Sequence, residues 1–556
     1  GADYVTFEGS FNFTTTRNLV ITNTNTSANA SVIWLGSQGA SNGATNNTIR
    51  NCRINGNSGV TAGSTTQYGI FAGSGIAQGS PAEAPNNNNI FRNNQIEKVV
   101  VGIHVSGPAA NETGTIIDKN AIGPSSGATN AIGYRGVWAS NQANLTISGN
   151  TITSLISTFG IGSDTDPTAG IIINGTIATA NIFSNNVNGI RNTNVAGWQS
   201  FGICLQSSSA NAAVKVYNNF IYAITGNGKS SSALQNGHGL AVLTGGGYGI
   251  YYNSVHLATN QGTAGISSCL YIGSGITGIS VMDIRNNIFS NRQTTGTRYA
   301  VYSLGINSAF TQIDYNCYYS SDKVGFLLVN QNNLAAWQTA TAADLNSNTS
   351  PPIFVSNTDL HLQLISPLNG IATPIAGLTT DIDLVDIRNA TTPDIGADEI
   401  FPPACTGSNP GTITVNKTNL CYNGSILLTG SGFDVGLGIS YQWESSTNNI
   451  TYTPIAGEIN PTSATPPSIS VTTYYRLRVA CSFTGGAAQY SNVITVTVQT
   501  PQITASTPGS RCGPGTVNLS ATGNAGTTVY WYDTPLGGEI LGTGNNYTTP
   551  SINTNT

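Results

Sequence analysis

The chain has 556 residues, a formal net charge of −5 and only 8% charged residues, while 39% of its residues are hydrophobic. The scarcity of Lys and Arg excludes a basic nucleic-acid-binding protein, and the scarcity of charged helix formers excludes a coiled coil. The hydrophobic content argues against a disordered chain, which leaves a β-rich protein that depends on neutral polar side chains for its solubility.

A repeat of about 33 residues runs through the first 400 residues. Its unit is an apolar residue, two variable residues, Asn, one variable residue and a second apolar residue, as in Phe91–Ile96 and Ile284–Phe289. A Gly followed by an apolar residue, as in Gly102-Ile103, opens a further strand after such a unit. The Asn position, which we call the anchor, falls at Cys52, Asn94, Asn120, Asn150, Asn186, Asn219, Asn253, Asn287 and Asn316.

This repeat predicts a parallel β-helix over residues 1–400. Short apolar runs, β-branched residues and abundant Gly exclude a helical repeat. Successive coils would stack about 4.8 Å apart, so that the anchor side chains form a hydrogen-bonded ladder. A β-propeller is the competing fold, but its repeats of about 40–50 residues are longer. Residues 351–400 break the repeat, and we expect them to cover the open end of the solenoid.

A Pro-rich linker at 401–403 separates the repeat from a region of alternating Thr, Val and Ile residues. This alternation predicts two Ig-like β-sandwich modules, at 401–499 and at 500–556. The second module stops before the strand that closes the first, and the chain contains a single Met, Met282. We therefore expect the chain to be part of a longer protein, with the second module incomplete.

Cys421, Trp443 and Cys481 follow one another in the order that is typical of an Ig-like domain. In that fold a strand Trp packs near a disulfide between the two sheets. The pattern therefore predicts a Cys421–Cys481 disulfide, with Cys405 as a competing partner for Cys481. Cys512 is the counterpart of Cys421 in the second module, where no partner for it is evident.

One outward stripe of the predicted β-helix is a candidate ligand-binding face. The strand position two residues before each anchor should point away from the core. It supplies Arg residues, which pair with uronates or sulfates, and Tyr residues, which stack on sugar rings. The alternative is an ordinary sheet surface, because every solenoid has outward residues at this position. The candidate ligand-binding residues are Arg50, Arg92, Tyr217, Tyr251 and Arg285.

Three Asp residues near the end of the repeat are a candidate cation site. Asp381, Asp383 and Asp386 offer hard oxygen ligands, for which Ca2+ is the candidate cofactor. No complete Ca2+-binding loop motif is present, and the capping of turns is the alternative role for these residues.

Asp118 and Lys119 are the best candidates for catalysis, because a polysaccharide lyase needs a base and a cation close together. The sequence around them supplies one carboxylate rather than a cluster, so Asp118 is more simply explained as a surface partner of Arg92. The four His residues show no metal-binding spacing, and no nucleophile motif occurs. We therefore assign no catalytic residue. We also expect no membrane-spanning helix, because no run of about 18 apolar residues occurs.

Parts of the sequence resemble a known class of secreted proteins. The opening Ala2–Phe7, the Asn-x-Ile coils and the segment Asp394–Glu399 are similar to the right-handed β-helix regions of large secreted surface proteins of Bacteroidota. The tandem C-terminal modules resemble Ig-like modules of proteins exported by the type IX secretion system. This resemblance implies a right-handed β-helix, an extracellular cell-surface location and contacts with secretion or cell-surface machinery.

The resemblance also implies a non-enzymatic adhesin or filament. In this reading the β-helix is a rigid rod that presents or binds a ligand, such as surface or environmental glycans, and the Ig-like modules are spacers. One alternative is a polysaccharide lyase or glycoside hydrolase that acts on an acidic polysaccharide. Another is a structural stalk without a ligand. The sparse ionisable residues weigh against an enzyme.

Overall fold

The chain forms two compact units, Gly1–Phe401 and Pro402–Thr556. Among the described residues, no helix is long and apolar enough to cross a membrane. The computed structural model describes residues 2–26, 29–57, 66–123, 131–159, 166–194, 199–227, 236–384, 387–400, 405–421, 424–436, 438–482 and 485–554.

The first unit is a parallel β-helix, which confirms the predicted fold. Each coil adds one strand to each of three parallel sheets, numbered here in the order in which the chain enters them. Sheet 1 consists of Thr6–Glu8, Thr48–Arg50, Ile90–Arg92, Ile116–Asp118, Leu145–Ser148, Ala180–Phe183, Val214–Tyr217, Tyr248–Tyr251, Met282–Arg285 and Phe310–Asp314. Sheet 2 consists of Leu19–Thr22, Cys52–Asn55, Gln95–Glu97, Ala121–Ile122, Thr151–Ile152, Asn186–Asn188, Phe220–Tyr222, Ser254–Leu257, Ile288–Asn291 and Cys317–Ser320.

Sheet 3 is formed by the longer strands that the Gly-apolar pairs open. Its parallel strands are Ser31–Ser37, Tyr68–Ser74, Val101–Ser106, Arg135–Ala143, Thr168–Ile177, Ser200–Ser207, Gly237–Thr244, Ile266–Gly275, Thr297–Ser303 and Lys323–Leu327. Glu112–Thr113 pairs with Arg135–Ala143, and Val329–Gln331 pairs antiparallel with Lys323–Leu327 at the end of the sheet. A small fourth sheet contains Leu155–Ser157, Ile190–Asn192 and Thr225–Gly226.

Alternate strand residues point into the coil and stack on their equivalents above and below. In sheet 1, for example, Ile147 is paired with Ile182 of the next coil, Ile182 with Val216, and Val216 with Ile250, and all four residues are fully buried. Because side chains alternate between the two faces of a strand, the apolar residue of each repeat unit must lie in this core. The core of the first unit is therefore a continuous stack of aliphatic side chains.

The turn between sheets 1 and 2 has the same backbone conformation in successive coils. The residue before the anchor has a positive φ, as at Asn93 (52°), Asn218 (53°) and Asn286 (62°). Asn tolerates this left-handed conformation better than most residues with a Cβ, which explains the frequent Asn-Asn pairs of the repeat.

The anchor side chains form the predicted ladder inside this turn. Asn120 donates from Nδ2 to Asn150 Oδ1 at 3.0 Å and to the carbonyl oxygen of Phe91 at 2.8 Å. Its backbone N–H donates to the same Oδ1 of Asn150 at 3.0 Å. This pattern repeats along the stack of buried residues Asn94, Asn120, Asn150, Asn185, Asn219, Asn253, Asn287 and Asn316.

One anchor was assigned to the wrong residue. Asn185, and not Asn186, belongs to the ladder, because Ser184 takes the positive-φ position with a φ of 51°. Val187 then points into the core two residues after the anchor, as the repeat unit requires. Asn186 is half-buried and starts a strand of sheet 2.

A short α-helix, Leu334–Thr341, closes the C-terminal end of the coil stack. Asn333 caps it by accepting a hydrogen bond from the backbone N–H of Ala336 at 2.9 Å. Trp337 is fully buried in the β-helix core, and its indole N–H donates to Asp344 at 2.6 Å. The helix therefore supplies the end cover that we expected from residues 351–400.

Residues 351–400 instead lie along the side of the coils, so their predicted role as an end cover is wrong. Tyr252 donates its hydroxyl to the carbonyl oxygen of Thr373 at 2.8 Å, and the N–H of Ala397 donates to Ser254 Oγ at 3.0 Å. The physical reason is that several coils carry apolar residues on their outer surface, which this segment buries. The apolar cluster formed in this way contains Tyr251, Tyr252, Ile288, Cys317, Leu362, Leu368, Ala372, Ile375, Leu378 and Ile395.

The second unit consists mainly of antiparallel β-structure around Trp443, which is fully buried and pairs with Leu477 on the neighbouring strand. Asn419–Cys421 is parallel to Ile494–Gln499. One sheet contains Thr412–Val415, Leu428–Ser431 and Ser463–Ala464, and the other contains Asn419–Cys421, Ile439–Ser446, Thr453–Pro454, Thr473–Cys481, Ala488–Tyr490 and Ile494–Gln499. The remaining strands are Ile503–Thr507, Asn518–Gly523, Tyr530–Tyr532, Ile540–Thr543 and Asn546–Thr548. The division of this unit at residue 499 stays a prediction.

The predicted Cys421–Cys481 disulfide is wrong, because Cys481 pairs with Cys405, at a Cα–Cα distance of 5.9 Å. Cys421 is paired with Gln499, at the end of the strand Ile494–Gln499. That strand is antiparallel to Thr473–Cys481 and places Val496 opposite Thr473, so Cys421 lies beyond the end of Thr473–Cys481 that is farther from Cys481. That strand has a length of about 26 Å at about 3.3 Å per residue. A disulfide needs Cα atoms within about 7 Å, so Cys421 cannot reach Cys481.

Candidate functional site

The predicted outward stripe exists as a row of paired positions in sheet 1. Phe183 supplies the position two residues before the corrected anchor Asn185. The row reads Glu8, Arg50, Arg92, Asp118, Ser148, Phe183, Tyr217, Tyr251, Arg285 and Asp314.

The arginines of the stripe are paired with carboxylates. Arg50 forms an ion pair with Glu8, and Arg92 contacts Asp118 at 2.8 Å. The Arg side chains keep 36% and 44% of their surface exposed. Partial burial opposes ionisation of Glu8, but hydrogen bonds from Asn51, Ser10 and Arg50 lower the pKa of Glu8 to about 2. This end of the stripe is therefore accessible and close to neutral.

The other end of the stripe is covered more than we expected. Tyr251 is only 8% exposed, so its predicted position in solvent is wrong. Its ring lies against Gly249, and it belongs to the apolar cluster that includes residues of the segment 351–400. Its hydroxyl donates to Asp283 at 3.0 Å, and Asp283 also pairs with Arg285 at 2.7 Å. Tyr217 is half-buried and stacks on Phe183, with ring centroids 4.9 Å apart. Ligand binding by these residues stays a prediction.

The three Asp residues predicted as a cation site are not all available to an ion. Asp381 is fully buried and accepts hydrogen bonds from the backbone N–H groups of Asp383 at 3.0 Å and Glu399 at 3.3 Å. Burial raises the pKa of Asp381 to about 6. Asp386 lies outside the described residues. Asp381 therefore acts as a turn-capping residue, whereas the side chain of Asp383 is 46% exposed.

A groove lies between the coils and the segment 351–400. Its volume is about 560 Å3, and it is a candidate functional site because ionisable groups from both sides converge on it. The coils contribute Lys119, Gly149, Asn150, Thr151, Ser184, Asn186 and Phe220, and the flanking segment contributes Thr358, Asp359, His361, Ile382, Asp383 and Leu384.

His361 is at the centre of the ionisable groups in this groove. Its Nδ1 lies 2.5 Å from Asp359 Oδ1, and its Nε2 lies 3.3 Å from Asp383 Oδ2. Ligand atoms of His361, Asp383 and Asp398 all lie within 4.8 Å of one another. Partial burial opposes protonation, but Asp359, Asp398 and Asp383 together raise the pKa of His361. The groove can therefore hold a cation or transfer a proton.

Sequence reasoning missed this cluster. The four His residues are far apart in the chain, and none of them has a second His at metal-binding spacing. The signal that was present is the Asp359-x-His361 pair, because residues two apart in an extended segment lie on the same side. Asp398 is 37 positions away from His361 in the sequence, and only the folding of the segment 351–400 on the coils brings it close.

A second cavity, of about 550 Å3, lies at the N-terminal end of the coil stack. It is lined mainly by apolar side chains of the first coil, including Val5, Phe7, Ile21, Val32 and Leu35. None of the described residues that line it has an ionisable side chain. This cavity is therefore the end of the hydrophobic core rather than a site with its own chemistry.

Comparisons with known proteins bear mainly on the second unit. Residues 404–500 match a family described as a domain of unknown function (DUF8696), and residues 499–556 match the family described as Ig-like domain CHU_C associated. Modules of the Ig-like kind are typical of the non-catalytic parts of extracellular proteins. No curated protein matches the chain.

One solved structure, of the fibronectin(III)-like modules of Clostridium thermocellum CbhA, is similar to part of the chain. It shares 16% identity over 25% of this chain and 80% of that chain, with a TM-score of 0.13. A similarity this low carries no argument about fold or function.

Proposed function

We propose that the chain is a non-enzymatic segment of a large extracellular adhesin or filament, exported by a bacterium of the Bacteroidota through the type IX system. The β-helix is the presenting or binding rod, and the Ig-like modules are spacers. The observation that supports this most is the continuous parallel pairing of sheet 1 and the Asn ladder beside it through successive coils. Such a stack is stiff, because each coil is hydrogen-bonded to both neighbours.

The binding face in this proposal is the accessible end of the stripe, at Arg50 and Arg92. An acidic glycan can displace Glu8 and Asp118 from these guanidinium groups, since its carboxylates or sulfates accept hydrogen bonds from a guanidinium group as these two side chains do. Each such exchange contributes little free energy at an exposed site. Useful affinity then depends on several contacts along the rod.

The test is binding of the complete chain to an array of acidic and neutral glycans, with and without Ca2+. We expect binding that is reduced about tenfold or more when Arg50 and Arg92 are both replaced by Ala. The matched control is Arg53→Ala, because Arg53 is an exposed Arg on the neighbouring sheet 2. Equal losses in the control and in the double variant would refute the stripe as a binding face, and no binding to any glycan would leave a structural stalk.

The alternative function is a lyase or hydrolase that acts on an acidic polysaccharide. The observation in its favour is the groove, which brings Lys119 together with His361 and Asp383. A base and a cation are what proton abstraction next to a uronate requires. Incubation with uronate polysaccharides, followed by assays for unsaturated ends and for reducing ends, tests this reading. Product release that is lost in His361→Ala would overturn the non-enzymatic proposal.

A further inference from the structure

We propose that His361, Asp383 and Asp398 bind a divalent transition-metal ion, such as Zn2+, in the wall of the groove. Their ligand atoms lie within 4.8 Å of one another. A tetrahedral Zn2+ ion with bonds of about 2.1 Å holds its ligand atoms about 3.4 Å apart. His361 Nε2 and Asp383 Oδ2 are already 3.3 Å apart, so this pair needs almost no adjustment.

The neighbours of the cluster orient its ligands. Asp359 contacts Nδ1 of His361 at 2.5 Å, which directs Nε2 towards Asp383. A carboxylate on the far nitrogen is the usual outer partner of a metal-binding His. The ring of Phe220 packs edge-on against the imidazole, with centroids 4.9 Å apart, and limits its rotation.

The backbone orients the Asp398 carboxylate through one of its two oxygens. Its Oδ2 accepts a hydrogen bond from the N–H of Leu362 at 2.7 Å, and the residue is only 6% exposed. Asp398 is thus a buried carboxylate beside a His and a second carboxylate.

The donor set distinguishes the class of ion. Imidazole nitrogen suits Zn2+ and other late transition metals, whereas Ca2+ takes oxygen ligands almost exclusively. The proposed site therefore differs in chemistry from the Ca2+ site predicted at Asp381, Asp383 and Asp386, with which it shares only Asp383. Three protein ligands leave the fourth coordination position of a tetrahedral ion open. Since His361 and the exposed Asp383 both line the groove, a water molecule or a ligand oxygen in the groove can occupy this position.

The test is a titration of the complete metal-free chain with Zn2+ by calorimetry, and with Co2+ by its visible absorption. We expect one site in the first unit, with affinity lowered at least about 100-fold in His361→Ala and about 10–100-fold in Asp359→Asn. Asp383→Asn is the variant that preserves folding, because that side chain is 46% exposed. The matched control is Asp533→Asn, an exposed Asp of the second unit.

Three results would overturn the site. The first is a Co2+ spectrum that is the same in His361→Ala and in the control. The second is Zn2+ binding that is unaffected by Asp383→Asn when circular dichroism shows an unchanged fold. The third is Ca2+ binding that survives His361→Ala but is lost in Asp383→Asn, which would restore a site made of carboxylates alone.

Discussion

The ladder makes a sharp prediction at two adjacent Asn residues. Replacing Asn185 by Ala removes side-chain hydrogen bonds to the carbonyl oxygen of Ile147 and to Asn219 Oδ1, each 3.0 Å long. It also removes the acceptor for the N–H and Nδ2 of Asn150, at 3.0 and 2.9 Å. Four buried bonds at about 1 kcal/mol each predict a loss of about 4 kcal/mol in local unfolding free energy. Asn186→Ala is the control: it removes a half-buried hydrogen bond from Asn188 Nδ2, 2.8 Å long, and should cost about 1 kcal/mol or less.

Hydrogen exchange is the suitable assay, because a solenoid loosens locally rather than in one global step. The Asn150 amide should exchange about 1,000-fold faster in Asn185→Ala, which is about 4 kcal/mol converted by RT, and at nearly the native rate in Asn186→Ala. The urea concentration at the unfolding midpoint should fall more in Asn185→Ala than in Asn186→Ala. Equal effects of the two substitutions, or a larger effect at Asn186, would refute the assignment of the ladder.

Burial raises the pKa of Glu112 from 4.5 to about 7. Between these two pH values the folded chain binds more protons than the unfolded chain, so the free energy of unfolding should fall by up to about 3 kcal/mol as the pH rises from 4.5 to about 7. Glu112→Gln should remove this pH dependence of the urea midpoint, and an unchanged dependence would contradict the reasoning. Cys405→Ser opens a loop that spans 76 residues and should cost about 4 kcal/mol, whereas Cys421→Ser should leave the bridge intact in a peptide map. Trp337→Ala should destabilise the end of the first unit by about 3–5 kcal/mol and promote self-association, which light scattering measures; a chain that stays monomeric and equally stable would show that the helix is not a cover.

The candidate site was only partly predictable. The outward register of Arg50 and Arg92 could be obtained from the repeat, because alternation along a strand decides which side chains leave the core. Their pairing with Glu8 and Asp118 depends on which residues the neighbouring coils bring alongside. Tyr251 has the same register, yet it is buried in an apolar cluster that includes residues of the segment 351–400. The exposure of an outward residue thus depends on parts of the chain that lie far away in sequence.

The coil, the ladder and the Ig-like character of the second unit could all be predicted from the order of the amino acids. These features follow from short-range periodicity, since the anchor, its positive-φ neighbour and the inward apolar residue lie within six positions of one another. Three other features became evident from the folded chain alone: the pairing of Cys481 with Cys405, the helix that covers the end of the stack, and the meeting of His361 with Asp383 and Asp398. Each of these contacts depends on how an irregular segment packs in the folded chain. Such packing is driven by the burial of scattered apolar side chains, which produce no periodic pattern in the sequence.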